Sequence, residues 1–310
     1  MKKYILKKIS YTTILFIIVI FISFFTMKLI PSDPISAMFE QKGPTPEERK
    51  VLEKELGLDK PIVVQFTNYL QNIFLKFDFG KSYNGNKESV LKLFKKAFTN
   101  TFKLTALSCF FGSLLGITLG VLSAFYIGTK KSFFLDFLAI IIVSMPTFVI
   151  GFLLQINLGY YSNLLPVSGF ETTKEMVLPI LTLSLTISGS IFKITQTTML
   201  ECLKQPYITV AHAKGLSKTT IIFKHALKNA LIPILSHIGI IFSFLIGGAI
   251  ITEHIFNIKG IGSLMITSFE ERDFPIIQCC IILLALFISI WNLFLELIYF
   301  WLDPKINIKG

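Results

Sequence analysis

The chain has 310 residues, of which 53% are hydrophobic and only 16% are charged, and its formal net charge is +11. A soluble domain carries about 25% charged residues, so the composition excludes an ordinary soluble enzyme and favours a protein with several membrane spans. Long stretches such as 14–25 and 276–290 contain no Asp, Glu, Lys, Arg or His, which agrees with that class.

Hydropathy predicts six membrane-spanning helices, because a helix needs about twenty apolar residues to cross a bilayer. In chain order they are Ile9–Ile30, Asn100–Tyr126, Phe133–Asn157, Val177–Leu200, Ala230–Ile251 and Pro275–Leu302. The first span is too long for the core of a signal peptide, and no small-residue cleavage site follows it. We therefore expect a retained first helix and an all-α polytopic membrane protein.

Lysine placement predicts that both termini lie inside the cell. Short cytoplasmic loops are enriched in lysine, and the short loops that this topology places inside are lysine-rich, whereas the short outer loops are acidic. The inner lysines are Lys2, Lys3, Lys7, Lys8, Lys130, Lys131, Lys204, Lys214, Lys218, Lys224, Lys228, Lys305 and Lys309, and the outer acids are Glu171, Glu175, Glu270, Glu271 and Asp273. Topology and anionic membrane lipid explain the basic charge, and we expect no nucleic-acid partner.

Residues 31–98 form the one sizeable segment outside the predicted spans. Thr45 followed by Pro46-Glu47-Glu48 is typical of a helix start, and Gly57 is expected to end that helix. Apolar residues at helical spacing in 62–77 predict an amphipathic helix on the outer membrane face or on the first span. We therefore expect an extracytoplasmic helical insertion.

A possible nucleotide motif in this insertion fails on its spacing. Gly80-Lys81-Ser82 resembles the end of a phosphate-binding loop, but that motif requires a glycine where Leu75 stands. The sequence contains no other match, so any ATP chemistry must come from a partner chain.

Metal and disulfide sites are not expected either. The cysteines form no C-x-x-C pair and three of them fall inside predicted spans, where cysteine behaves as a small apolar residue. They are Cys109, Cys202, Cys279 and Cys280. The histidines show no i, i+4 pair.

Within the spans, small residues and a proline are the informative features. Span 2 carries a small residue at every fourth position, which lets helix backbones approach closely. These residues are Ser108, Gly112, Gly116, Gly120 and Ala124. The stripe predicts a packing face, and it leaves open whether the same face lines a translocation path. Pro146 in span 3 predicts a bend.

The most informative segment is the cytoplasmic loop 201–229. Its pattern predicts a short helix, a break at Gly215 and a second amphipathic helix. The apolar residues of the second helix recur at helical spacing with basic residues opposite; the apolar ones are Phe223, Ala226, Leu227, Ala230 and Leu231, and the basic ones are Lys224, His225 and Lys228. Two interpretations remain at this point: a basic loop resting on anionic lipid, or a surface on which another protein acts.

Ala211-x-x-x-Gly215 followed by Leu231-Ile-Pro233 resembles the EAA loop of binding-protein-dependent ABC importer permeases. The longer strings 211–216 and 225–233 are similar to the dipeptide, oligopeptide and nickel branch of that family. Stretches elsewhere agree with that branch: 55–61, 77–83, 165–169, 260–262, 272–275 and Asp303-Pro304. Thr209 and Val210 stand where the family loop has Glu and Ala, and Ile258-Lys259 replaces the usual Trp-Pro.

The resemblance implies a type I, MetI-like importer permease fold with six transmembrane helices in the cell membrane, N-in and C-in. It divides the chain into the N-terminus and span 1 (1–30), the insertion (31–98), the permease core (99–302) with the coupling loop 201–229, and a cytoplasmic tail (303–310). The implied cargo is a dipeptide or oligopeptide, with nickel or a metal chelate as the alternative. An ion-coupled secondary carrier would need inverted repeats and a carboxylate at the bilayer midplane, and the sequence offers neither.

The resemblance also implies the partners. A second homologous permease shares the translocation path, two ABC ATPase subunits bind ATP and Mg²⁺, and an extracytoplasmic solute-binding protein delivers cargo. This chain is expected to be non-catalytic, to contact membrane lipid and to bind no cofactor itself. The residues implied for ATPase coupling are Thr209, Ala211, Lys214, Gly215, Leu216, Lys218 and Lys224, those anchoring the loop are Asn229 and Pro233, and those for helix packing or the pathway are Gly112, Gly116, Gly120 and Pro146.

Overall fold

The computed structural model describes residues 2–29, 35, 43–55, 57–84 and 87–302. Helices dominate this part of the chain. They are α1 (Lys2–Leu29), α2 (Pro46–Glu55), α3 (Ile62–Gln71), α4 (Val90–Phe125), α5 (Lys130–Ser144), α6 (Thr147–Leu154), α7 (Thr173–Leu203), α8 (Pro206–Ala213), α9 (Lys218–Thr220), α10 (Leu227–Gly248), α11 (Ile250–Ile255), α12 (Ile261–Glu270) and α13 (Phe274–Leu302). π-helical turns continue three of these helices, at Asn72–Lys76, Gln155–Tyr161 and Ile221–Ala226. The predicted tail 303–310, with Asp303-Pro304, lies outside the described residues.

Five helices in the described part of the chain are long and apolar enough to cross a membrane. They are Lys7–Leu29, Val90–Phe125, Thr173–Leu203, Lys218–Gly248 and Phe274–Ile298. A sixth crossing results when the bent pair Lys130–Ser144 and Thr147–Tyr161 is taken as one span. The all-α class agrees with the prediction, and the predicted six spans are reached when the bent pair counts as one. The domain boundaries read from the sequence stay a prediction.

The third span is not the continuous helix that the sequence predicted. It consists of α5 and α6, which meet at an angle of 100°. Met145 between them is extended (φ −83°, ψ 127°), and Pro146 stands just before α6. Proline has no N–H to donate, and it disfavours the helical conformation of the residue before it. Pro146 therefore breaks this span rather than bending it.

Two helix starts and one additional helix also differ from the hydropathy prediction. α4 begins at Val90, ten residues before the predicted span, because its first turns carry lysines that a helix tolerates but a hydropathy window rejects. The fifth span belongs to one long helix that starts at Lys218 in the cytoplasmic loop. α12 was not predicted, because its ten residues are too few to register as a span.

The chain folds as two compact units. The first comprises Met1–Thr99 and Lys259–Ser289, and the second comprises Asn100–Ile258 and Ile290–Gly310. In the first unit, α2 starts as predicted: the Glu48 carboxylate accepts from the Thr45 N–H and hydroxyl, and the Thr45 hydroxyl accepts from the Glu48 N–H. These bonds hold the pKa of Glu48 below its ordinary value. Gly57, with φ +64°, follows the end of this helix.

The amphipathic helix α3 lies along α1, which confirms one of its two predicted positions. The Phe66 ring packs against the rings of Phe21, Phe24 and Phe25, with centroid distances of 5.2–5.9 Å. At the outer end of α1, the ammonium of Lys28 donates to Gln65 Oε1 at 2.7 Å. Aromatic burial therefore fixes α3 on the first span.

A buried carboxylate joins two segments of the first unit that lie 190 residues apart in the sequence. Asp273 is fully buried, and its Oδ2 accepts from the Ser82 hydroxyl at 2.5 Å and from the Tyr83 N–H at 3.0 Å. The Asn84 side-chain amide donates to the Glu271 carbonyl at 3.2 Å. Burial and the charge of Asp273 raise the pKa of Tyr83 to about 12, so its phenol stays protonated. Asp273 thus holds the loop before α4 against the turn before α13.

In the second unit, the small-residue stripe of α4 lies against α7. A Cβ placed at Gly112, Gly116 or Gly120 would come within 2.7–2.9 Å of a backbone carbonyl oxygen of α7. The three carbonyls belong to Ser184, Ser188 and Phe192. Backbone cannot move aside as a flexible side chain does, so glycine is required at these positions. The predicted packing face is therefore where the sequence placed it.

The hydrogen bonds that Asp273 accepts from residues 82–84, called the Asp273 clamp here, are testable through amide hydrogen exchange. Asp273→Ala removes the acceptor of three donors, namely the Ser82 hydroxyl, the Tyr83 N–H and, at 3.5 Å, the Asn84 N–H. A hydrogen bond to a charged group contributes about 1.5–3 kcal/mol. We expect roughly 100-fold faster hydrogen exchange at the Tyr83 and Asn84 amides. Asp59→Ala removes an exposed carboxylate of the same unit and is the control. Unchanged exchange in Asp273→Ala would contradict the clamp.

The close approach of α4 to α7 is testable with a matched pair of glycines. In Gly116→Ala the new methyl group meets the Ser188 carbonyl oxygen, so the helices must separate at a cost of about 1–3 kcal/mol. Gly248→Ala is the control, because no atom lies within 4 Å of the position of its Cβ. We expect a lower thermal unfolding midpoint for Gly116→Ala alone. Equal midpoints for the two variants would sink the packing argument.

Candidate functional site: the cytoplasmic loop

The loop between α7 and α10 contains a short helix with a defined end. Pro206 occupies the first turn of α8, where its missing N–H costs nothing. At the other end, the Leu216 N–H donates to the Ala211 carbonyl at 3.3 Å and the Gly215 N–H to the His212 carbonyl at 2.9 Å. This is a Schellman motif, which places Gly215 in the left-handed region at φ +74°. The predicted glycine break is confirmed, and its cause is helix termination.

One face of α8 is buried within the chain. Ile208 and Ala211 are 3% and 5% exposed and belong to an apolar cluster that also includes the inner end of α4, the end of α7 and the start of α10. The other buried members are Val121, Ala124, Met199, Ile221, Ile222, Ala226, Ala230 and Ile234. α8 is therefore seated on the inner ends of three long helices.

The opposite face of α8 and the turn that follows it are exposed. Val210 is 54% exposed and Leu216 is 36% exposed, although both are apolar and lie outside the predicted spans. Thr209 and Lys214 are also exposed, and Lys214 directly precedes Gly215. Exposed apolar side chains rimmed by polar ones are typical of a protein–protein contact. Sequence reasoning missed Val210, because only burial separates it from its neighbour Ala211.

The second helix of the loop departs from the predicted face. Ser217 accepts from the Thr220 N–H at 3.3 Å and begins α9, and the helix then passes through a π-helical turn. A π turn closes hydrogen bonds one residue later than an α-helix, which shifts the faces. Ile222 and Ala226 therefore point inward, and Phe223, predicted to be packed, is 50% exposed.

Two contacts tie the ends of the loop together. The Tyr207 phenol interacts with the side chains of Asn229 and Cys202, and partial burial raises its pKa above the ordinary value. The Asn229 amide also donates to the His225 carbonyl at 2.9 Å. Pro233 lies inside α10, where it cannot donate to the Asn229 carbonyl four residues earlier. The predicted anchor residues thus stand where the loop enters the membrane helix.

The exposed side of the loop is basic. Lys204, Lys214, Lys224 and Lys228 are exposed, and Glu201 is the acid close to them in sequence. Lys218 is also exposed, and its ammonium lies 4.7 Å from the centre of the Phe125 ring at the end of α4. The surface offers apolar side chains inside a cationic rim, which fits a partner of opposite charge.

The remaining predicted residues do not join this surface. Gly112, Gly116 and Gly120 lie along α4 facing α7, and Pro146 breaks the third span. The structure therefore brings together the loop residues and leaves the packing residues in the membrane part.

Polar side chains inside the second unit pair with one another. Gln196 donates to Asp136 Oδ1 at 2.7 Å and to the Ser123 hydroxyl at 2.8 Å, which joins α7, α5 and α4. Glu253 is fully buried and accepts from the Thr101 hydroxyl at 2.5 Å. Sequence reasoning missed Glu253, because the fifth span was predicted to end at Ile251.

Family comparison places these features in context. Residues 116–308 match the family described as "Binding-protein-dependent transport system inner membrane component". Residues 1–105 match the family described as "Binding-prot-dependent transport system membrane comp, N-term". The two matches contain the loop 201–229 and the predicted insertion 31–98, respectively.

Curated relatives match along their full length. The chain is 35% identical to the "Probable peptide ABC transporter permease protein y4tP" of Sinorhizobium fredii, covering 98% of this chain and 99% of the relative. It is 31% identical to the "Dipeptide transport system permease protein DppB" of Lactococcus lactis subsp. cremoris, covering 99% and 100%.

A solved structure shares the fold. The structure titled "Inward facing conformations of the MetNI methionine ABC transporter" matches with a TM-score of 0.60 and 18% identity, over 69% of this chain and 97% of that one. At 18% sequence identity, this match supports a shared fold alone. With the family match over residues 116–308, the chain belongs to the inner membrane components of binding-protein-dependent transport systems.

Proposed function

We propose that this chain is the permease subunit of an ATP-driven importer for peptides and that it receives the force of ATP binding through the exposed face of α8. The observation that carries the proposal is the two-sided character of this helix. Ile208 and Ala211 fix one side to the inner ends of α4, α7 and α10, and the other side presents Val210 and Leu216 to the cytoplasm.

This arrangement supports rigid-body coupling. Interiors packed at native density transmit displacement instead of absorbing it. A partner that moves α8 therefore also moves the helix ends against which Ile208 and Ala211 pack. The predicted coupling residues fall into two groups. Ala211 holds α8 in place, whereas the others lie on or beside the docking surface: Thr209, Lys214, Gly215, Leu216, Lys218 and Lys224.

We assign the partners accordingly. Two ATPase subunits bind ATP and Mg²⁺ and dock on the basic surface of the loop, a second permease completes the path, and a solute-binding protein delivers cargo from outside. The full sequence contains no G-x-x-x-x-G-K-[ST] motif, which supports a non-catalytic role for this chain.

Peptide is the proposed cargo because both relatives named above carry the words peptide or dipeptide in their names. The nickel alternative has no such support. An ion-coupled secondary carrier does not fit the family to which the chain belongs.

The docking surface is testable by a substitution that adds bulk without a clash inside the chain. The Gly215 Cβ position has no atom within 4 Å, so in Gly215→Trp the ring projects from the exposed surface. We expect the permease pair to assemble, the ATPase subunits to co-purify weakly, and ATP-driven uptake into proteoliposomes to fall at least about tenfold, which corresponds to a loss of roughly 1.4 kcal/mol of coupling.

Gly80→Trp is the matched control, because Gly80 also has positive φ and open space but lies in the extracytoplasmic insertion. It carries the same backbone strain without touching the loop. Normal uptake by Gly215→Trp, or equal losses in both variants, would rule out this docking surface.

The cargo is testable by competition. In proteoliposomes that contain the whole importer and its solute-binding protein, an excess of unlabelled dipeptide is expected to abolish uptake of a labelled dipeptide, whereas Ni²⁺ at the same concentration leaves it unchanged. Inhibition by Ni²⁺ with no effect of dipeptide would replace the peptide assignment and leave the permease assignment intact.

A further inference from the structure

The turn between α4 and α5 forms a groove that none of the coupling residues uses. It measures about 410 Å³ and is lined by Leu122, Tyr126, Phe134 and Leu135 with the side chains of Lys130 and Lys131 at its edge. In the N-in topology α4 runs inward, so this turn lies at the cytoplasmic surface of the membrane.

The turn itself is well fixed. Gly128 adopts φ +79°, and the Thr129 hydroxyl donates to the Tyr126 carbonyl at 2.6 Å. These contacts hold the start of α5 beside the end of α4. The backbone of the turn therefore fixes where the residues that line the groove lie.

Charge at the edge of the groove is not neutralised by the described part of the chain. The Lys131 ammonium lies 4.9 Å from the centre of the Tyr126 ring, and Lys130 makes no ion pair there. The first turn of α5 contains no acidic residue. Two exposed ammonium groups beside an apolar groove are complementary to an anion that also carries hydrocarbon.

The groove continues into an apolar surface. α5 exposes large apolar side chains along its length: Phe133, Phe134, Phe137, Leu138, Ile140, Ile141 and Val143. A groove that opens onto such a surface at the membrane edge suits an acyl chain, and basic pockets at the cytoplasmic ends of membrane helices bind anionic headgroups.

We propose that the α4–α5 groove binds one anionic phospholipid of the inner leaflet, with its phosphate between Lys130 and Lys131 and an acyl chain against Leu122, Tyr126 and Phe134. The bound lipid stabilises the end of α4. The Tyr126 ring contacts the Phe125 ring at 4.9 Å, and the Phe125 ring in turn contacts the Lys218 ammonium of the coupling loop.

Lipid retention provides the direct test. The full-length chain, purified with its partner subunits, is exchanged into nanodiscs of phosphatidylcholine with increasing phosphatidylglycerol, and the retained lipid is counted by native mass spectrometry. We expect phosphatidylglycerol to be retained over phosphatidylcholine. K130Q/K131Q is expected to weaken retention about 30-fold, since each lysine near the membrane surface contributes about 1 kcal/mol.

Two variants separate the headgroup from the chain. K95Q/K96Q removes an exposed lysine pair from the outer part of α4 and is expected to leave retention unchanged. Leu122→Trp fills the groove without altering charge and is expected to weaken retention of phosphatidylglycerol. Inorganic phosphate is added as a competitor and is expected to displace nothing, because it lacks the acyl chain.

Several results would overturn the site. These are equal retention of the two lipids, equal loss in K130Q/K131Q and K95Q/K96Q, displacement by inorganic phosphate, or release of a partner subunit from K130Q/K131Q with lipid retention intact. The last result would assign the lysines to a protein contact.

The effect on the coupling loop rests on the proposed function: uptake should rise with phosphatidylglycerol in the wild type and not in K130Q/K131Q. Retention is read without transport, so the two ideas fail separately.

Discussion

The seating of Ile208 and Ala211 in an apolar cluster is the interaction on which the proposed coupling role depends. The exposed face of α8 is small. The helix has only eight residues, and a helix of this length is not stable by itself in water. Burial against the inner ends of α4, α7 and α10 supplies that stability and fixes the orientation of the exposed face. The same cluster packs α8 against the membrane helices, so a displacement of the loop also displaces the spans.

Close backbone approach and hydrogen bonds between polar side chains hold the helices of the second unit together. Within a membrane, helices gain little from apolar burial against each other, and small residues and interhelical hydrogen bonds take over. Gly112, Gly116 and Gly120 bring α4 onto α7, and the contacts of Gln196 with Asp136 and Ser123 add α5. In the first unit, aromatic packing on α1 and the buried Asp273 carboxylate have the corresponding role.

Local signals in the sequence were enough for much of the fold. Apolar runs predicted the spans, the lysine pattern predicted their orientation, Thr45 and Glu48 predicted the start of α2, and Gly215 predicted the break after α8, since each depends on a few neighbouring residues. The failures concern effects that neighbours do not determine. Pro146 predicted a bend, but the angle of 100° also depends on how α5 and α6 each pack against α7. The π turn at Ile221–Ala226 moved Phe223 out of the predicted face, and no pattern of apolar residues reports such a turn.

The sequence by itself determined the class, the topology, the family and the position of the loop proposed to couple to the ATPases, because hydropathy, charge and short motifs can be read along the chain. Only the tertiary structure decided which loop residues are free to meet a partner. Ala211 and Val210 are adjacent small apolar residues, yet one is 5% and the other 54% exposed. The tertiary structure also brought Ser82 into contact with Asp273 and formed the groove between α4 and α5. Contacts between distant segments depend on packing in space, which composition and spacing do not record.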